Sequence, residues 1–128
     1  MSEATVFPQL QGHTYISLTT FRKSGEGVAT PVWFAHSGDR LFIVTPQNSG
    51  KVKRIRNNPR VTLAPSDAQG KVSPGAPLIE GMACIVPMEV GGRGDQALRS
   101  KYGWMYRAFA WLWRIRRIEP VLLELRPA

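Results

Sequence analysis

Three segments near the start of the chain alternate between apolar and polar positions with the period of a strand: Tyr15-Ile-Ser-Leu-Thr-Thr-Phe21, Val28-Ala-Thr-Pro-Val-Trp-Phe-Ala35 and Arg40-Leu-Phe-Ile-Val-Thr45. They are rich in β-branched and aromatic residues, which suit a pleated, half-buried surface. The breaks between them, Arg22-Lys-Ser-Gly-Glu-Gly27 and His36-Ser-Gly-Asp39, carry glycine and have hairpin lengths, so the strands are expected to run antiparallel in chain order. Pro31 has no N–H to give to a ladder. It places the second strand at an edge or a bulge, where the backbone faces something other than a neighbouring strand.

After Thr45 the period changes. Val52 and Ile55 are spaced for one face of a helix over residues 51–57, with Ser49 as the candidate cap and Asn57-Asn-Pro59 as the stop. A fourth strand follows over 60–64, then a glycine- and proline-bearing turn region over 66–76, and a fifth strand over 78–87. Residues 121–125 form a sixth, with Glu124 facing away from the core. Between the last two strands, 95–102 and 104–118 are helical by pattern. Strands outnumber helices and are joined by hairpins, which predicts a mainly β fold: a small, six-stranded antiparallel barrel with peripheral helices, without internal repeats.

The last helix has an unusually wide apolar arc. Met105, Ala108, Phe109, Leu112 and Ile115 form one stripe, and Trp104, Trp111 and Ile118 another beside it. Aromatic stripes usually mark core, which favours a helix packed on the barrel. The same arc also suits a dimer interface, and with Arg107, Arg114, Arg116 and Arg117 an interfacial membrane helix.

A chain of 128 residues with 43% hydrophobic content fits one domain with one core, residues 1–128. Its apolar runs are broken by charges short of the roughly 18 to 20 residues of a membrane span. The start, MSEATVFPQLQG, lacks the basic and apolar regions of a secretion signal, so a cytoplasmic, soluble protein is expected. The single cysteine, Cys84, sits in the apolar run 82–86 and reads as a buried structural thiol.

The formal charge of +8 points to an anionic partner. Nonspecific nucleic-acid binding would spread the cations along a face with stacking aromatics, whereas here they gather in two segments, 51–60 and 107–117, which favours a discrete ligand over nucleic acid. Five of them, Lys51, Lys53, Arg54, Arg56 and Arg60, follow the loop Thr45-Pro-Gln-Asn-Ser-Gly50 without an acid among them. Cations at a helix start oppose the positive end of the macrodipole, and the free amides there bind phosphate well. A phosphate at Ser49-Gly50-Lys51 would relieve both.

Catalytic constellations are mostly missing. His13 and His36 fall on expected loops, as solvated residues without cysteine or carboxylate at ligand spacing, so no metal site is expected. No Gly-x-Ser-x-Gly turn supports a serine triad. Ser49-Gly50-Lys51 resembles the end of a P-loop, but Thr45 stands where that pattern needs glycine and Val52 where it needs serine or threonine. What remains is an anion site without acid–base machinery. It fits an enzyme whose chemistry belongs to an organic cofactor, and equally a carrier of that cofactor.

The order Thr30-Pro-Val-Trp-Phe34, hairpin, Leu41-Phe-Ile-Val-Thr45, loop, Ser49-Gly-Lys-Val-Lys-Arg54, then Asn58-Pro-Arg-Val61 resembles the split-barrel flavoproteins related to pyridoxamine-phosphate oxidase. Within them it is most similar to the actinobacterial and archaeal branch of deazaflavin-dependent oxidoreductases. The likeness runs from about residue 14 to 125 and includes Tyr102-Gly103 followed by an aromatic helix.

The resemblance implies the FMN-binding split barrel fold and a homodimer with a cofactor groove at its interface. Thr30, Pro31, Val32 and Trp33 would flank the ring, mainly through backbone groups. Thr45, Ser49, Gly50 and Lys51 would hold the phosphate, with Lys53 and Arg54 nearby. Pyridoxamine-phosphate oxidases carry an Arg-Lys pair in this loop, of which Gly50-Lys51 keeps the lysine. The deazaflavin F-420 continues beyond its phosphate into an oligoglutamate tail, which suits a segment of five cations. The expected function is a deazaflavin (F-420)-dependent oxidoreductase transferring hydride to a small, largely apolar substrate, in a pocket around Phe21, Trp33 and the aromatic helix. No side chain is expected to act as a nucleophile. An FMN-dependent oxidoreductase of the same fold and a non-catalytic carrier are the alternatives.

Overall fold

A computed structural model describes residues 6–128; the expectation drawn from the first twelve residues falls partly on residues 1–5, which lie outside the described residues. Seven strands form a single antiparallel sheet: β1 (Tyr15–Phe21), β2 (Gly27–Trp33), β3 (Ala35–Ser37), β4 (Arg40–Pro46), β5 (Arg60–Ser66), β6 (Ile79–Pro87) and β7 (Pro120–Pro127). Three helices accompany them: α1 (Gly50–Asn57), α2 (Arg93–Tyr102) and α3 (Trp104–Ile115). The hydrogen-bonded order is β2-β1-β5-β6-β7-β4-β3, so β2 and β3 are the two edges. The sheet curls until β2 and β4 approach one another without pairing, which leaves a split barrel.

Six strands are expected from the alternation and seven are present, because the second expected strand breaks at Phe34. Its two parts, β2 and β3, lie at opposite edges of the sheet. Phe34 is fully buried, and its backbone N–H donates to the hydroxyl of Tyr102 instead of to a strand. Pro31 accordingly lies in an edge strand, opposite Ser17 of β1. Gly38 and Asp39 make the turn between β3 and β4, and His36 belongs to β3.

The core fills the inside of the curl. Ile16, Leu18, Val32, Leu41, Ile43, Leu63, Leu123 and Leu125 meet there, and α1 closes one end by inserting Val52 and Ile55. Ser49 caps α1: its Oγ accepts from Val52 N at 3.4 Å. A second cluster lies on the outer face, where Phe42 and Leu122 meet Leu98 and Tyr102 of α2 and Tyr106 of α3. Strand β4 is covered on both sides, Leu41 and Ile43 inward and Phe42 outward, which is why it reads as a nearly continuous apolar run.

Two expectations of burial are corrected. Cys84 is exposed: Ala83 takes the core side of β6, so its neighbour points to the outer face, opposite Glu124. In α3 only Tyr106 is buried, while Trp104 is 76% exposed, Trp111 62% and Ile115 56%. The helix turns Tyr106, Phe109 and Trp113 to the protein, so the stripe through Trp104, Met105, Leu112 and Ile115 faces away from it. Among the described residues no helix is long and apolar enough to cross a membrane.

Candidate functional site

The end of β4, the cap of α1 and the end of β2 come together beneath α3. Tyr15, Pro31, Val32, Trp33, Val44, Thr45, Pro46 and Lys51 surround a cavity of about 320 Å³, and Phe109 and Trp113 of α3 cover it. Its walls are aromatic and apolar, and its one cation is Lys51. Register explains the grouping: Tyr15 pairs with Trp33 across β1 and β2, while Thr45 and Pro46 end β4 just before the turn into α1.

Trp33 is fixed by its neighbours. Its ring stacks on Tyr102 with centroids 4.4 Å apart and planes 10° from parallel, and Phe109 lies 5.2 Å away on a tilted plane. The Tyr102 hydroxyl accepts from Phe34 N at 2.9 Å and reaches the carbonyls of Thr14 at 2.8 Å and Phe34 at 2.9 Å. Burial pushes its pKa up to about 12, so it stays a neutral donor.

At the other end, Thr45 Oγ1 donates to Ser49 Oγ at 3.2 Å, and Thr45 is itself 1% exposed. These two hydroxyls fix the loop from which α1 starts. Lys51 stands in the first turn of α1, which has no acid, and forms no ion pair among the described residues. Burial, with a smaller repulsion from Arg54, lowers its pKa from the usual lysine value. A half-buried ammonium in the first turn of a helix, where the macrodipole is already positive, is an electrostatic demand for an anion.

The other expected site residues lie around this cavity rather than in its wall. Arg54 points away: its Nε donates to the fully buried Thr20 Oγ1 at 2.6 Å, and its guanidinium lies across Gly50. Lys53 is exposed to solvent. Thr30 faces inward, opposite Leu18, with a buried hydroxyl that has no hydrogen-bond partner among the described residues. Ser49 and Gly50 shape the loop behind Lys51. Phe21, expected near the substrate, is at the far end of β1 with Arg60 over its ring, because the register that brings Tyr15 to Trp33 sends Phe21 to Gly27. Tyr15, Val44 and Pro46 were not expected here. Pairing the first two strands through their hairpin would have found Tyr15.

His36 is half-buried rather than solvated, since it lies in β3. Its Nε2 is 3.3 Å from the Phe7 carbonyl, and burial lowers its pKa. Among the described residues no three histidines, cysteines or carboxylates are grouped as metal ligands.

Residues 2–119 match the family model of pyridoxamine 5'-phosphate oxidase. The chain belongs to the pyridoxamine 5'-phosphate oxidase family. No curated protein matches its sequence. Among solved structures of this fold, an F-420 reductase shares 21% identity over all of this chain and 96% of its own, with a TM-score of 0.63. The heme storage protein HutZ of Vibrio cholerae superposes at TM-score 0.68 with 12% identity, covering 94% of this chain and 85% of its own. A pyridoxamine 5'-phosphate oxidase-related, FMN-binding protein of Nostoc punctiforme gives 0.58 with 14% identity, over 89% of this chain and 70% of its own. At such identities the likeness is one of fold. The pyridoxamine 5'-phosphate oxidase fold thus joins this chain to flavin-binding proteins, to an F-420 reductase and to a protein that stores heme.

Proposed function

We propose that the protein is an oxidoreductase that holds the deazaflavin F-420 in the cavity between β2, β4 and α3, and passes hydride from it to a small organic acceptor. The observation that carries this reading is Lys51: a half-buried cation without a counter-ion among the described residues, at the capped start of a helix, beside a slot walled by Trp33, Phe109 and Trp113. The residues present fit a planar ring joined to a phosphate. The exposed Lys53 and Arg56 of α1 add positive charge to the same short helix, which suits an anionic tail longer than one phosphate. Arg54 would join them only by releasing Thr20.

When bound, the cofactor supplies the hydride. The chain itself contributes position and exclusion of water. Strand β2 and Val44 hold two sides of the slot, and Phe109 and Trp113 screen it from solvent. The acceptor gains the hydride at one atom and a proton from water at the other, so no side chain needs to act as nucleophile or base. We further propose a homodimer, for which the exposed apolar face of α3 offers surface to bury.

Purification from a host that makes FMN but no deazaflavin tests the cofactor. A colourless protein that binds added F-420 and not FMN is the expected result, and stoichiometric FMN retained through purification would overturn it. A panel of enones and quinones tests the enzyme, since a bound reduced cofactor that none of them oxidises would leave a carrier. Light scattering tests the homodimer, with twice the chain mass expected.

A further inference from the structure

On the far side of Phe109 and Trp113 lies a second, larger cavity of about 500 Å³. The two spaces share Val44, Phe109 and Trp113, so they adjoin through one apolar partition. The second differs in charge. Its apolar wall of Met88, Val90, Ala110 and Ile118 is edged by Arg99, Arg107, Arg114 and Arg117.

Two acids face the same space. Asp95 is already satisfied by Gly91 N, the Tyr106 hydroxyl and Arg99, at 2.8, 2.8 and 3.1 Å. Glu119 is the other, and it forms no ion pair among the described residues. Nor do Arg107, Arg114 and Arg117, so three arginines without an ion pair among the described residues line an apolar cavity that holds one unpaired acid.

The backbone reinforces the point. α3 ends with Arg116 N bonded to Leu112 O and Ile118 N to Trp113 O, a closure that puts the intervening residue in the left-handed region. Glycine is the usual occupant there, yet Arg117 holds φ at 57°. Arg117 thus combines a costly backbone conformation with a side chain that lines the cavity.

We propose that this cavity binds an organic anion, its apolar body against Phe109 and Trp113 and its carboxylate, sulfonate or phosphate among Arg107, Arg114 and Arg117. Resting on the function proposed above, this anion is the substrate class of the adjoining site. Guanidinium groups suit such oxoanions because they present paired donors in one plane. A cavity of this size lies within the range of small-ligand sites.

The test uses 2-naphthoate and 2-naphthamide, probes with the same ring system that differ in charge, titrated calorimetrically into the whole protein. Naphthoate should bind once per chain and at least tenfold more tightly than the amide, with the preference shrinking as salt is raised. The double variant Arg107→Gln/Arg114→Gln should reduce the preference to within about twofold. Equal affinity for the two probes, or an undiminished preference in the double variant, would overturn the proposal.

Arg117→Gly separates binding from structure. It should raise the thermal midpoint, by relieving the backbone, and weaken naphthoate several-fold; a raised midpoint with unchanged affinity would assign Arg117 to the turn alone and overturn its role. F-420 titrated in parallel keeps the two readings apart. If the arginine variants weaken F-420 and not naphthoate, the cavity holds the cofactor's tail and the proposal fails. If naphthoate binds through the arginines in a protein that ignores F-420, the anion site stands and the cofactor reading fails.

Discussion

The hydroxyl of Tyr102 takes the place of a neighbouring strand for Phe34, accepting from its N–H at 2.9 Å where β2 ends and β3 begins. Residue 34 has its side chain fully buried and its backbone between two strands that diverge to opposite edges. Without Tyr102 a buried N–H would be left unpaired.

Tyr102→Phe should therefore destabilise the fold by about 1–3 kcal/mol, more than the loss of an exposed hydroxyl would. Because the same ring stacks on Trp33, Tyr102→Ala should also disturb the cavity, where Tyr102→Phe would not. Thermal melts of the two variants, followed by ligand titration, distinguish the backbone bond from the ring.

Asp95 ties the last two helices together. It is 4% exposed in α2, and it accepts from Tyr106 of α3. Burial alone would raise its pKa, but the Gly91 N–H, the Tyr106 hydroxyl and Arg99 together outweigh burial and hold it below the ordinary 3.8. A carboxyl depressed in the fold contributes its stability above the unfolded value and loses it as pH falls through the folded one. Asp95→Asn should lower the melting temperature at pH 7, with the gap to the natural chain closing as pH is taken below 3.8. A gap that is constant between pH 7 and pH 2.5 would rule out this linkage.

Gly94 allows α2 to lie close on the sheet. A β-carbon there would stand 2.6 Å from Leu122 Cδ1 and 2.8 Å from Phe42 Cδ1, both in buried side chains. Neither can withdraw without moving the outer core. Gly94→Ala should cost about 1–3 kcal/mol by overpacking, despite alanine's better helix propensity. Chemical denaturation would show a lower midpoint; an unchanged midpoint would mean that the helix lifts freely.

Lys51→Ala should weaken binding of F-420 by at least tenfold at low salt, with the melting temperature preserved, since the side chain has no ion-pair partner to lose. Gly50→Ala is the companion. Its new methyl would stand 2.7 Å from Arg54 Nη1 and should push Arg54 off Thr20, leaving that buried hydroxyl unpaired and lowering the stability by about 1–3 kcal/mol. Affinity unchanged in Lys51→Ala would put the phosphate elsewhere.

Local chemistry made much of this legible. The strand over Tyr15–Phe21, the Ser49 cap and the Val52/Ile55 face follow from period and side-chain type, which act over a few residues. The break at Phe34 was not legible, because it depends on a tyrosine 68 positions away. Cys84 was misread since an apolar run does not say which face of a strand each residue takes. Helix α3 was misread for a related reason: its arc covers two faces, and only contact with Trp33 tells which of them the protein keeps. Of the expected site residues, Pro31, Val32, Trp33, Thr45 and Lys51 share one cavity, whereas Arg54 is drawn to a buried threonine on β1 that spacing alone could not reveal.

The two faces of α3 also divide the four tryptophans into pairs. Trp104 and Trp111 lie on the face of α3 turned away from the cavity, while Trp33 and Trp113 border it. Native fluorescence is thus a sum of two signals, one insensitive to what enters the cavity and one next to it. Replacing Trp104 and Trp111 by phenylalanine would leave an intrinsic optical reporter, whose emission follows occupancy of the cavity without any attached label.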